Sequence, residues 1–185
     1  AVERLGMHHG ECRVLGDNRG YSPTAAALIN GTLAHSLDFD DTHAAASLHS
    51  SAPILPAALA AAEMTKASGG VFGAAAAAGK LLGLDATGIV SAFGIALSQA
   101  AGSMQFLADG AWTKRSHVGQ AAANGLICAT LAAEGFRGPK EAFEGNWGFL
   151  KGYSPQPEPE RAVENLGGKW ETMELAVKPY PSCRY

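Results

Sequence analysis

The chain has 185 residues, a formal net charge of -3, and 47% hydrophobic against 17% charged residues. That balance describes an ordered domain with a sizeable core and excludes both a disordered chain and a strongly basic nucleic-acid binder. The Ala-rich apolar runs are broken by Gly, Lys or Glu, so no membrane span is expected, and the N-terminal AVERLGMHHG lacks the basic-then-apolar order of a signal peptide.

Residues 10–20, GECRVLGDNRG, are turn-rich, with VLG as a strand end. Ser22-Pro23 then supplies an N-cap followed by Pro at the first helical position. Ala26, Ile29, Leu33 and Leu37 recur at helical spacing, so a helix is predicted through TAAALINGTLAHSL (24–37). Gly31 inside it asks for a closely packed neighbouring helix. Pro53 and Pro56 bracket the start of a helix through ILPAALAAAEMTKAS (54–68), closed by Gly69-Gly70. A third helix is predicted in VFGAAAAAGKLLGL (71–84), ended at Gly83, and Asp85 caps a fourth in residues 85–102. Another Ala-rich helix is predicted to start near His117 or Val118 and to end at Gly135, with a short helix, KEAFEG (140–145), after Pro139. Ala and Gly stand where these helices would touch, so close packing is expected. The Pro- and Glu-rich residues 152–170 read as a link or crossover, and ELAVKPY (174–180) as a strand.

Cys12, Cys128 and Cys183 are far apart in sequence. Such spacing argues against a disulfide framework and against CxxC-type metal sites, and a reducing cytoplasm is the simpler expectation.

Two stretches carry chemistry. LAHSLDFDDTH (33–43) sets Asp38, Asp40 and Asp41 beside His35 and His43. Capping of the next turn accounts for some of these acids. A metal site is a second reading, but a DDxxD pattern fails, because Asp40 reaches Ala44 and Asp41 reaches Ala45. A third is acid–base chemistry on a small acid, with carboxylates orienting a histidine that moves the proton. The other stretch, DGAWTKRSHVGQAA (109–122), gathers Lys114, Arg115 and His117 in a nearly uncharged neighbourhood. It reads either as a solvated basic turn or as the counter-charge of a polycarboxylate site at a helix start.

Together these segments resemble the MmgE/PrpD family, which includes 2-methylcitrate dehydratase and cis-aconitate decarboxylase. The resemblance is carried by NGTLAHSLDFDDTH (30–43), HSSAPILPAALAAAE (49–63), GAAAAAGKLLGLD (73–85), residues 94–125 with KRSHVGQAA, and VKPYPSCRY (177–185). It implies a mainly α fold: a large all-helical domain over residues 1–170, with a gap at 70–71 relative to the family, then the start of a smaller α+β lid domain at 171–185. It implies a metal-independent lyase with no cofactor, acting in a homodimer on a di- or tricarboxylate. By position, Asp38, Thr42, His49 and Lys114 take the catalytic places. Arg115, His117 and His43 are candidate substrate-binding residues beside them.

The spacing from Thr42 to His49 is one residue longer than in the family's decarboxylase, which directs the reading to a 2-methylcitrate dehydratase-like hydro-lyase of propionate metabolism. A cis-aconitate decarboxylase or an iminodisuccinate-type epimerase of the same family is the alternative. Because the chain stops early in the lid, an inactive helical fragment that binds or assembles is the reading from another class. The expected location is cytoplasmic, with no nucleic-acid or membrane partner.

Overall fold

The computed structural model describes residues 2–37, 40–43, 51–53, 71–168 and 175–176, with the backbone alone at 42–43, 104, 161–162 and 175–176. The fold is mainly α. Near the N-terminus, β1 (Cys12–Arg13) pairs antiparallel with β2 (Gly20–Tyr21). The hairpin between them is tied by Asp17, whose carboxylate accepts from Arg19 and from the Tyr21 hydroxyl. These donors, with the Arg19 charge, hold the Asp17 carboxyl well below the usual carboxylate range.

Helix α1 (Pro23–Ala34) begins where Ser22-Pro23 predicted, with Ser22 Oγ accepting from the Ala25 amide at 3.3 Å. Asn30 on this helix is buried and clamps the hairpin. Its side-chain oxygen accepts from Leu15 N at 2.9 Å, and its amide donates to Arg13 O at 3.0 Å. Helix α2 (Val71–Leu81) precedes Gly83, whose φ of +76° turns the chain. Asp85 then caps α3 (Ala86–Leu97), accepting from Gly88 N at 2.8 Å. A 3-10 turn (Met104–Ala108) leads into α4 (Thr113–Ala133), which is 21 residues long and central to the fold.

α1, α2 and α3 all pack on α4. The core is mostly alanine: Ala25, Ala26, Ala74, Ala75, Ala78, Ala92, Ala96, Ala122 and Ala129 are fully buried. With so little side chain between them, the helices approach backbone to backbone. A methyl group at Gly119 would lie 2.3 Å from Leu28 O, and one at Gly125 would lie 2.3 Å from the Ala74 methyl. The neighbour that Gly31 called for is α4 itself, since a methyl group at Gly31 would lie 2.8 Å from Gly119 Cα.

Four boundaries differ from expectation. α1 ends at Ala34, with His35 as its cap, short of Leu37. α4 starts at Thr113, a full turn before His117, without a side-chain cap on Trp112. α3 ends at Leu97, with Ser98 as its cap, well short of residue 102. Residues 140–145 form turns, and a short helix α5 (Phe149–Tyr153) follows instead. There the aromatic rings prevail over local propensity. Phe143 lies 4.7 Å from Phe72 and 5.4 Å from Phe93, centroid to centroid, and Phe149 closes the cluster at 5.2 Å from Phe72.

β3 (Thr42–His43) pairs antiparallel with β4 (Leu175–Ala176), within the strand predicted for 174–180. The tail thus returns to the acidic segment. The helix expected over 54–68, the gap at 70–71 and residues 177–185 lie outside the described residues. Among the described residues, no helix is long and apolar enough to cross a membrane.

Candidate functional site

The crossing of α1 and α4 at Gly31 and Gly119 places a cleft one helical turn away. His35 follows Gly31 by one turn on α1, and Arg115 precedes Gly119 by one turn on α4. Between them opens a cleft of about 490 Å³. Its walls are His35, Ser36 and Leu37 from the end of α1, Phe106 and Leu107 from the 3-10 turn, and Gly110, Ala111, Trp112, Lys114 and Arg115 from the entry to α4. The two chemistry-bearing stretches, far apart in sequence, therefore face one cavity.

Local hydrogen bonds shape each wall. Ala111 N donates to Asp109 Oδ1 at 3.0 Å and turns the chain into α4. The Arg115 guanidinium lies over the Trp112 ring, 5.4 Å from its centroid, a cation–π contact that holds the charge at the cleft. Lys114 is half-buried and Arg115 exposed. Leu37, Leu107 and Trp112 are each more than two-thirds exposed, so the cationic groups stand beside an apolar rim.

On the α1 side, both carboxylate oxygens of Asp40 lie 3.0 Å from His35 Nδ1. The two side chains are almost sealed, at 2% and 8% exposure. Asp41 does a different job, its Oδ1 accepting from Ser51 N at 3.2 Å, while its buried Oδ2 has no hydrogen-bond partner among the described residues. Asp40 and Asp41 thus hold an imidazole and a backbone amide. Among the described residues, no three His, Cys, Asp or Glu side chains converge as a metal site would require.

Of the residues singled out in the sequence, Lys114 and Arg115 line the cleft. His117 lies on the same turn of α4 but is not a wall residue; its ring meets the edge of Phe106 at 5.9 Å between centroids. Thr42 and His43 form β3, where only their backbone is described. Asp38 and His49 lie outside the described residues. The sequence reading missed His35 and Trp112 as site residues. The signal for His35 was present, an acid five residues on, but only the folded chain makes them partners.

A mainly α domain carrying a cationic cleft between two close-packed helices is the class these features define. The chain matches the MmgE/PrpD N-terminal domain over residues 1–72 and 66–162. The chain belongs to the MmgE/PrpD family. It is 36% identical to the cis-aconitate decarboxylase-like protein oryM of Aspergillus oryzae, over 91% of this chain and 45% of that relative. It is 32% identical to a cis-aconitate decarboxylase of Aspergillus terreus, over 94% of this chain and 45% of the relative. With the cis-aconitate decarboxylase of Homo sapiens it shares 31% identity, over 86% of this chain and 41% of the relative. The chain therefore spans less than half the length of these curated relatives. The match to the Aspergillus oryzae protein extends over 220 positions, more than the 185 residues available here, so that relative carries segments with no counterpart in this chain. These relatives, named for decarboxylation, favour the decarboxylase alternative over the hydro-lyase expected from the sequence.

Proposed function

We propose that the protein of which this chain is part is a lyase that removes a carboxyl group from a small unsaturated polycarboxylate, cis-aconitate being the first candidate. The observation that carries this reading is the cleft itself: Lys114 and Arg115 face the end of α1 across a cavity of about 490 Å³, large enough for a six-carbon acid. The names of the relatives supply the reaction class.

Decarboxylation breaks the bond between a carboxylate carbon and its neighbour. CO2 leaves, and the electron pair stays on the remaining carbon until a proton replaces it. The barrier lies in that developing negative charge, so fixed positive groups lower it most. Lys114, half-buried at the first turn of α4, takes that role, and Arg115, held by Trp112, anchors a second carboxylate. Asp38, Thr42 and His49 are proposed as the groups that orient the substrate and deliver the proton, with His43 beside them. Their assignment rests on the family resemblance. His117 is proposed to support substrate binding through Phe106, the wall residue on which it packs. The family model matches the chain in two pieces that overlap at residues 66–72, which supports placing the missing internal segment near 70–71. The reading takes the working unit to be a homodimer in the cytoplasm, with no metal or other cofactor.

The test is CO2 release from cis-aconitate by the full-length protein, with hydration of 2-methyl-cis-aconitate run in parallel. Decarboxylation that falls at least a hundredfold in Lys114→Ala supports the proposal. Hydration without CO2 release would return the assignment to the hydro-lyase. Wild-type activity in the variant would remove Lys114 from the reaction.

A further inference from the structure

We infer that Trp112 is a positioning residue of this cleft, holding the Arg115 guanidinium ready for a substrate carboxylate; the inference rests on the polycarboxylate reading above. Trp112 occupies the N-cap position of α4, where Ser, Thr, Asp or Asn would satisfy a free amide. Its side chain makes no capping bond, and its backbone (φ -80°, ψ 0°) is already helical rather than extended. The ring is 78% exposed, so burial in the core does not account for it either. What the position does provide is spacing. Arg115 follows by three residues, on the same face of the first turn, and its amide donates to Trp112 O at 3.1 Å. The guanidinium carbon then lies over the indole, 5.4 Å from the ring centroid. Both residues line the cleft. A π face is a different partner from a carboxylate. An Asp or Glu would neutralise the guanidinium, occupy its paired N–H donors and repel an anionic substrate. The indole attracts the cation without neutralising it, so the charge stays available to a ligand. Among the described residues, Arg115 makes no ion pair. A long, exposed side chain loses rotamer freedom when it binds, and the ring restricts that freedom before the substrate arrives. The helix forgoes a cap at its first turn, and the cleft gains a pre-oriented cation.

Binding of the unreactive propane-1,2,3-tricarboxylate to the full-length protein is measured by titration calorimetry. Wild type is compared with Trp112→Leu, Trp112→Phe, Arg115→Gln and the double variant Trp112→Leu/Arg115→Gln, each checked for folding by circular dichroism. Trp112→Leu keeps an apolar side chain at the rim and removes the π face, which Trp112→Phe restores. Lys114 remains in Arg115→Gln, so binding stays measurable. The expected result is roughly threefold to fivefold weaker binding by Trp112→Leu, with most of that loss recovered in Trp112→Phe. Adding Trp112→Leu to Arg115→Gln should weaken binding no further, because the ring acts through the guanidinium. Trp112→Leu that binds as the wild type does, or that weakens binding equally in the Arg115→Gln background, would overturn the inference while the polycarboxylate reading stands. Unchanged binding by Arg115→Gln would do the same. No saturable binding by the wild type would remove that reading and this inference with it.

Discussion

Gly119→Ala tests whether the glycine crossing sets both the stability of the fold and the width of the cleft. The added methyl would stand 2.3 Å from Leu28 O, 2.3 Å from Thr32 Oγ1 and 3.0 Å from Thr32 N. The Thr32 side chain can rotate, but its hydroxyl then gives up the 2.8 Å bond to Leu28 O. The carbonyl belongs to the backbone of α1 and moves only if the whole helix moves. Overpacking of this kind costs about 1–3 kcal/mol, and backbone contact places it at the upper end. Alanine returns about 1 kcal/mol through its helix propensity. The net expectation is a loss of about 2 kcal/mol, read as a melting temperature lower by roughly 4–8 °C for a chain of this size. Gly152→Ala is the control, because nothing lies within 4 Å of its added methyl. Urea and thermal denaturation followed by far-UV circular dichroism measure both. Because His35 and Arg115 each lie one turn from the crossing, separation of the helices also widens the cleft, so binding of propane-1,2,3-tricarboxylate should weaken in Gly119→Ala. A variant that melts at or above the wild-type temperature would refute the backbone-contact argument.

Asp85→Ala removes the acceptor 2.8 Å from Gly88 N and should cost about 1 kcal/mol in urea denaturation, while Asp85→Ser should recover most of it. The Cys128 thiol is fully buried, and desolvation pushes it up from 9.0 to about 11. The folded state therefore holds that proton longer than the unfolded state does. This contribution to stability is complete below pH 9 and declines as the pH rises toward 11, a trend that Cys128→Ala should lack in denaturation measured across that range. At neutral pH, Cys12 and Cys128, both buried, should react with a thiol reagent only after unfolding, as counted by absorbance with and without denaturant.

Helix starts and stops were legible because they are local. Ser22-Pro23, Gly83, Asp85 and Gly135 each satisfy or redirect the chain within a turn of their own position, so the residue type alone gives the boundary. The Ala and Gly faces also announced close packing before any partner was known. The family resemblance was equally legible, since it depends on the order of motifs. The start of α4 was not. Trp112 offers no side-chain cap, so no capping residue marks the start at Thr113. The turns at 140–145 follow from Phe143 joining rings on α2 and α3, contacts from more than forty residues away.

The candidate site divides in the same way. The sequence by itself singled out the acidic segment and the Lys-Arg-His turn, because charge is conspicuous in a chain this apolar. It also excluded a DDxxD motif by simple spacing. Tertiary structure decided which charges meet. The two stretches lie on different helices, and only the Gly31–Gly119 contact brings their ends to one cavity. It also decided what the acids do. Asp40 holds His35, sealed with it from solvent, and Asp41 holds the Ser51 amide, contacts that exist only in the folded chain. Sequence fixes the chemical types available at each position. Which of them become partners is set by the distance between backbones, and here that distance is set by the absence of two side chains.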